Sequence, residues 1–346
     1  MQLTKRKKSK TLVILLACLL GVSTLSACTN ENPTSFRAYW TADATLPESL
    51  GFSERLEYDV TFTAGTSSLA NYSVNYLNGK YETALTTKQV EGSSEIIYVY
   101  ETKLTMDVVY TYKTESTAPL KDSVTTRVEF RNADERLQPI SSHKEFVCHS
   151  PMSSAASLED CYQKYDYVID TTYEGKKGAT SVTSYLLDDE TGERLTNSDG
   201  TFAIGEGTSY KKNFTINDKK NAYLDNEQLL FAIRGIEANS STSEKILVYS
   251  PLTAAMQTIN VSFSSSKSEE FTFNRNGVDS KNSIEYYPVS LSISSKNPGA
   301  TQTAWIAKKN ASGENVHRNL MLRLITPLSY GLGSLTYSLT SATFSA

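Results

Sequence analysis

Histidine is scarce in this 346-residue chain: His143, His149 and His317 are the only three. A Ser-His-Asp site would have to use one of them, and no G-x-S-x-G elbow accompanies them. H-E-x-x-H, P-loop and G-x-G-x-x-G patterns are missing too, which removes the sequence grounds for a zinc protease or a nucleotide enzyme. Ser264-Ser265-Ser266-Lys267 has an S-x-x-K spacing. It lacks a K-T-G partner and lies in serine-rich sequence, so it reads as an exposed loop. Asp188, Asp189, Glu190 and Glu193 lack the full pattern of a calcium loop and read as a solvated acidic turn. No catalytic residue, metal or cofactor is assigned, and the chain reads as a non-enzymatic protein.

Basic residues form a block in one place only, at Lys5, Arg6, Lys7, Lys8 and Lys10. An apolar run follows over 11–22 and ends at Leu25-Ser26-Ala27-Cys28. The run is too short to span a bilayer, which takes about 20 apolar residues. A basic start, an apolar middle and a small-residue cut site make a secretory signal. No second long apolar run and no fixed-period repeat occur.

Leu25-Ser26-Ala27-Cys28 resembles the lipobox of bacterial lipoproteins. The resemblance implies that residues 1–27 are removed and that Cys28 receives a diacylglyceryl group. Two acyl chains anchor stably where one binds only reversibly. Residues 28–35 are then a short tether containing Pro33, and 36–346 form a β-rich extracytoplasmic domain, with 188–220 as the place for a subdivision. The expected location is the outside of the bacterial cell membrane.

Removal of 1–27 takes away five basic residues and no acidic ones. The 34 basic residues become 29 against 38 acidic, a net charge of −9 instead of −4. An acidic chain without a basic block excludes nucleic acid as a partner, because phosphates need clustered Lys and Arg. The expected partners are the membrane, through the lipid, and an apolar or envelope ligand or a protein.

Cysteine is also sparse, at four residues. Cys18 leaves with the signal and Cys28 takes the lipid. Cys148 and Cys161 remain, outside the cytoplasm, where disulfides persist. They are expected to pair. His143, Cys148, His149 and Cys161 are weighed as a metal set, but they lack the close paired spacing of zinc ligands.

What the chain has in abundance is tyrosine, 21 in all, together with Ser, Thr, Val and Ile, a composition that favours strands. Leu56, Tyr58, Val60 and Phe62 alternate with polar residues, as a half-buried strand does. Tyr72, Val74 and Tyr76 repeat the pattern. Asn78-Gly79 then predicts a hairpin turn, because both positions accept φ > 0. The longest run is Ile96 to Tyr112, with Ile96, Tyr98, Tyr100, Leu104, Met106, Val108, Tyr110 and Tyr112 on one parity. A strand of that length predicts a long curved antiparallel sheet. Tyr98, Tyr100, Tyr110 and Tyr112 share one face. They read either as core packing or as an aromatic lining for a ligand.

One helix stands out. Asp225 caps it, Gln228 completes a capping box, Leu229, Leu230 and Ile233 face the core, and Gly235 stops it. Strands resume afterwards, punctuated by Asn276-Gly277 and Pro298-Gly299. The order of strands, one helix and more strands resembles the half-barrel lipoprotein carriers, in which a curved sheet wraps a helix. The fold class is therefore mainly β: a large curved antiparallel sheet or half-barrel with one or few short helices. Three functional classes follow: a binding lipoprotein, an envelope hydrolase with an unrecognised site, and a surface interaction module.

Overall fold

The computed structural model describes Phe36 and residues 50–65, 71–133, 136–188, 193–205, 208–216, 223–237, 239–293, 301–308 and 319–345. The proposed lipidation site Cys28, His317 and the tether lie outside the described residues.

The chain is mainly β, wound into one curved, barrel-like sheet. Strand β1 (Ser53–Ala64) sits between β2 (Ser73–Gln89) and β17 (Gly333–Ser345), antiparallel to both. From β2 the sheet runs through β3 (Ile96–Tyr112), β5 (Leu120–Ala133), β6 (Arg136–Pro151), β7 (Tyr162–Glu174) and β8 (Lys177–Ser184) to β9 (Tyr210–Thr215), each antiparallel to the one before. The short β4 (Glu115–Ser116) folds back on the end of β3. From β17 it runs the other way through β16 (Met321–Pro327), β15 (Gln302–Ala307), β14 (Val278–Ile293), β12 (Ala255–Phe263) and β11 (Ser243–Ser250). β10 (Tyr223–Asp225) ends that side, parallel to β11. β13 (Lys267–Arg275) pairs with the first part of β14.

Alternation explains the burial. In β3 the even residues Tyr98, Tyr100, Leu104, Met106, Val108 and Tyr110 point inward and are buried. The opposite face of β1, β2, β3 and β5 carries charges in cross-strand pairs, such as Arg55–Glu82 at 2.7 Å, Lys80–Asp59 at 2.6 Å and Arg127–Glu101 at 2.6 Å. Exposed pairs of this kind contribute about 0–1 kcal/mol each. They keep the outer face wet rather than hold the fold.

The two Asn-Gly pairs take different roles. Asn276 (φ 48°) and Gly277 (φ 84°) close the β13–β14 hairpin, where Arg275 faces Val278. Asn78-Gly79 does not form the expected hairpin: β2 continues through it from Ser73 to Gln89, with a bulge between Leu77 and Lys80. β1 runs alongside, and a Cβ on Gly79 would lie 2.7 Å from the Cβ of Val60. Glycine therefore serves close strand approach here, and Asn78 accepts the positive φ of a bulged residue.

The helical segment enters the barrel. Asp225 accepts from Glu227 N, and Gln228 accepts from Asp225 N, forming the predicted capping box. A 3₁₀ turn (Asn226–Gln228), one α turn α1 (Leu229–Ala232) and a second 3₁₀ turn (Ile233–Gly235) follow. Leu229 and Ile233 are buried as expected, but Leu230 is only partly so, while Phe231 is fully buried. The segment is wrapped by sheet, so it buries more than one stripe.

Candidate functional site

Three places combine residues with chemistry: the tyrosine face, the cysteine–histidine segment and the arm between β8 and β9. The tyrosine face is packed shut. The Tyr100 ring lies 5.0 Å from Phe231 of α1, and Tyr98 stacks on Phe130 at 5.5 Å. Tyr110 stacks on Tyr162 at 4.9 Å and donates to the His149 carbonyl. Tyr112, at the rim, is only partly buried and has the Lys113 ammonium over its ring. Tyr98, Tyr100 and Tyr110 are therefore core residues occupied by protein, not the lining of an open groove. Burial pushes the Tyr100 hydroxyl up to about 12, so it stays a neutral donor at any physiological pH.

Beneath this face lies a buried ion pair. Arg234, just after α1, reaches Glu54 of β1 with two bonds of 2.7 Å, and its Nε donates to Asn319 O. Burial works against the guanidinium charge, but the Glu54 carboxylate outweighs it and holds the group firmly protonated. Glu54 and Arg234 thus pin the plug to the first strand.

The expected Cys148–Cys161 disulfide is absent; both sulfurs are buried and not joined. Strand register is the reason. Pro151 faces Tyr162, and Met152 N donates to Cys161 O. Cys161 therefore sits level with Met152, four residues along from Cys148, or about 13 Å at 3.3 Å per residue. A disulfide needs Cα atoms within about 7 Å. Cys161 Sγ instead lies 3.5 Å from Ser157 O, and burial raises its thiol pKa. The four residues weighed as a metal set also diverge. His143 lies on the outer face with Asp170 at 2.7 Å and Glu145 at 3.2 Å. Its pKa is raised, because those two bonds outweigh the effect of partial burial. His149 is buried, with its Nδ1 2.7 Å and its backbone N 2.9 Å from Asp122 Oδ1. Asp122 thereby clamps the strand end rather than tuning an open base.

Near the two ends of the sheet, β10 and β11 pack across β6, β7 and β8 along a seam held by side chains. Tyr173 of β7 donates to Asp225 of β10 at 2.5 Å, Tyr223 donates to Gly175 O, and Tyr249 and Thr180 hydroxyls lie 3.1 Å apart. Phe214 stacks on Tyr249 at 4.0 Å, and the rings form a small second core with Ile216. Lys144 bonds Glu227 across the same junction. Burial raises the Asp225 carboxyl to about 6, partly offset by the Tyr173 bond. A cavity of about 60 Å³ adjoins the seam, lined by Arg131, Gln138, Pro139, Ile140, Tyr173, Gly175 and Tyr223. Ligand pockets run to about 300–1,000 Å³, so this one admits water-sized occupants and not a sugar or an acyl chain.

The known proteins add little. No family model matches the chain, and no curated protein matches it in sequence. A solved structure, the beta-barrel-like protein of domain of unknown function DUF1849 from Brucella abortus, is similar at 10% identity and a TM-score of 0.47. The match covers 87% of this chain and 100% of that one.

The feature that sequence reasoning missed is the arm. Between β8 and β9 the chain makes three short passes, joined by Tyr185↔Ile204, Leu187↔Arg194 and Thr196↔Phe202. Arg194 anchors it to β7 with two 2.8 Å bonds to Asp166, and stacks 4.0 Å over Tyr185. Leu186, Leu195, Phe202 and Ile204 are all 39–48% exposed there, half of the eight exposed large hydrophobics among the described residues. Pairing puts Phe202 and Ile204 on one face and Leu186 and Leu195 on the other. The apolar residues at 195 and 202–204 were a visible signal just beyond Asp188, Asp189, Glu190 and Glu193, which read as a solvated acidic turn.

Proposed function

We propose that this protein is a lipid-anchored extracytoplasmic interaction module, tethered through Cys28, whose plugged barrel holds out the arm for a partner protein. The observation that supports this most directly is the exposed apolar quartet Leu186, Leu195, Phe202 and Ile204 on a firmly braced projection. Phe202 and Ile204 make an exposed apolar patch on one face and Leu186 and Leu195 one on the other, and such patches mark interaction sites. The carrier reading has less behind it, because Tyr98, Tyr100 and Tyr110 are packed against Phe130, Phe231 and Tyr162.

Two measurements test the reading. Cys28→Ala should abolish labelling by radioactive palmitate and move the protein to the soluble fraction. A photo-crosslinking residue at Phe202 should give a discrete adduct in intact cells, and one at Lys103, on the outer sheet face, should not. Equal or absent adducts at the two positions would remove the arm as a partner surface. Continued membrane attachment of unlabelled protein would remove the lipid anchor.

A further inference from the structure

The arm leads directly into β9, and β9 is an edge strand that pairs with β8 alone. Its free side can be read from one bond. Ile216 N donates to Lys176 O on the β8 side. Backbone groups alternate sides along an antiparallel strand, so Lys211, Asn213 and Thr215 turn their N–H and C=O away from β8. Among the described residues no backbone group meets them. Three residues of open ladder are a template for another strand.

The same edge is basic. Lys211 and Lys212 lie on β9, Lys176 lies in the β7–β8 turn and Lys177 begins β8; all four are exposed. Among the described residues none of the four meets a carboxylate, and Lys212 Nζ donates to Ala254 O at 3.3 Å. Glu174 stands opposite Lys177 in the register without pairing to it. Elsewhere on the sheet several cations are matched to carboxylates across strands, as at Lys80–Asp59 and Arg127–Glu101. In an acidic chain, this cluster of unmatched lysines beside an unpaired edge stands apart.

We infer that the free edge of β9 binds an extended acidic segment of a partner protein as an added strand. This rests on the reading of the chain as an interaction module and names the partner's chemistry. Main-chain bonds to Lys211, Asn213 and Thr215 supply the docking, and the lysines supply the choice of sign. A second copy is disfavoured at this edge because its own Lys211 and Lys212 would face like charge.

The test uses full-length protein in nonionic detergent and a fluorescent peptide of alternating Glu and Val, with the Lys–Val peptide as control. The Glu–Val peptide should bind saturably by anisotropy, weaken as salt is raised, and slow hydrogen exchange at Lys211, Asn213 and Thr215. Lys211→Glu with Lys212→Glu should weaken it about tenfold or more. Asn213→Pro is the sharper variant. It removes an N–H that points away from β8, which an edge strand tolerates, so the fold should persist while peptide binding is lost. Unchanged binding by a folded Asn213→Pro protein overturns the inference. So does binding of both peptides alike, or dimerisation at this edge abolished by Asn213→Pro. Capture of phosphatidylglycerol vesicles through the lysines, with no effect of Asn213→Pro, overturns it in favour of a lipid surface. Failure here with adducts retained at Phe202 leaves the interaction module standing without this edge. Loss of adducts at Phe202 removes the module itself.

Discussion

Glu54 and Asp225 are both acidic, both almost fully buried, and held in different ways. Glu54 faces a guanidinium that meets both of its oxygens. Asp225 faces neutral donors, the Tyr173 and Ser142 hydroxyls and the Glu227 amide. The first sits where the plug meets β1, inside the closed part of the sheet. The second sits at the seam, where β10 lies against β7 without a ladder. A full charge pair suits the place where the plug is fixed to the first strand. A carboxyl with neutral donors makes the seam the pH-sensitive part of the barrel.

The largest expected effect comes from unbalancing the first centre. Arg234→Met leaves the Glu54 charge buried without its cation and should cost about 3–5 kcal/mol. Glu54→Leu combined with Arg234→Met should recover most of that loss, because apolar replacement of both partners is often neutral. Urea denaturation of the two variants measures it, and equal losses would mean that Arg234 acts by packing alone.

The second centre should show itself in pH. The Asp225 carboxyl titrates near 6 when folded, against an ordinary value of 3.8. A raised folded value favours the protonated form, so its contribution is fully present below about pH 4 and is lost as pH rises through about 6. Two units correspond to about 3 kcal/mol. Asp225→Asn keeps an N-cap and a Tyr173 partner but cannot ionise. It should match the wild type near pH 4 and exceed it by up to about 3 kcal/mol above pH 7. Parallel stability curves for the two proteins would contradict the assignment.

A smaller contrast uses the same substitution at each centre. Tyr173→Phe removes a bond to a buried carboxylate and should cost about 1–3 kcal/mol near neutral pH. Because that bond lowers the Asp225 pKa, its loss should also move the window upward. The Tyr58 hydroxyl, near Arg234, is buried without a hydrogen-bond partner among the described residues. Tyr58→Phe should therefore be neutral or slightly stabilising, within about 1 kcal/mol. Thermal melts of both proteins at two pH values would separate them.

Much of the fold was legible residue by residue. Alternation located β3 with both ends correct, and the Asp225–Gln228 capping box located the plug. Both are local patterns that report which face of an element meets water. The failures are non-local. Asn78-Gly79 and Asn276-Gly277 are the same dipeptide, and only the presence of β1 beside Gly79 turns the first into a bulge. Cys148 and Cys161 are close along the chain, but hairpin register separates them. Of the candidate site, the Tyr face was legible as a face, and its occupation by Phe231 was not, because the helix reaches it across the barrel. The arm escaped notice because exposure, unlike hydrophobicity, is not written in a short apolar run.

The order of residues alone settles the class of this protein: mainly β, a long curved sheet and one capped helical segment. Period-two alternation and capping chemistry are decided within a few residues. What lies inside the barrel, which acid keeps a cation, where the sheet stops short of closing and which apolar residues face water belong to three dimensions. Those outcomes depend on partners such as Glu54 and Arg234, 180 positions apart, and residues so distant meet only when the sheet has wrapped around the plug.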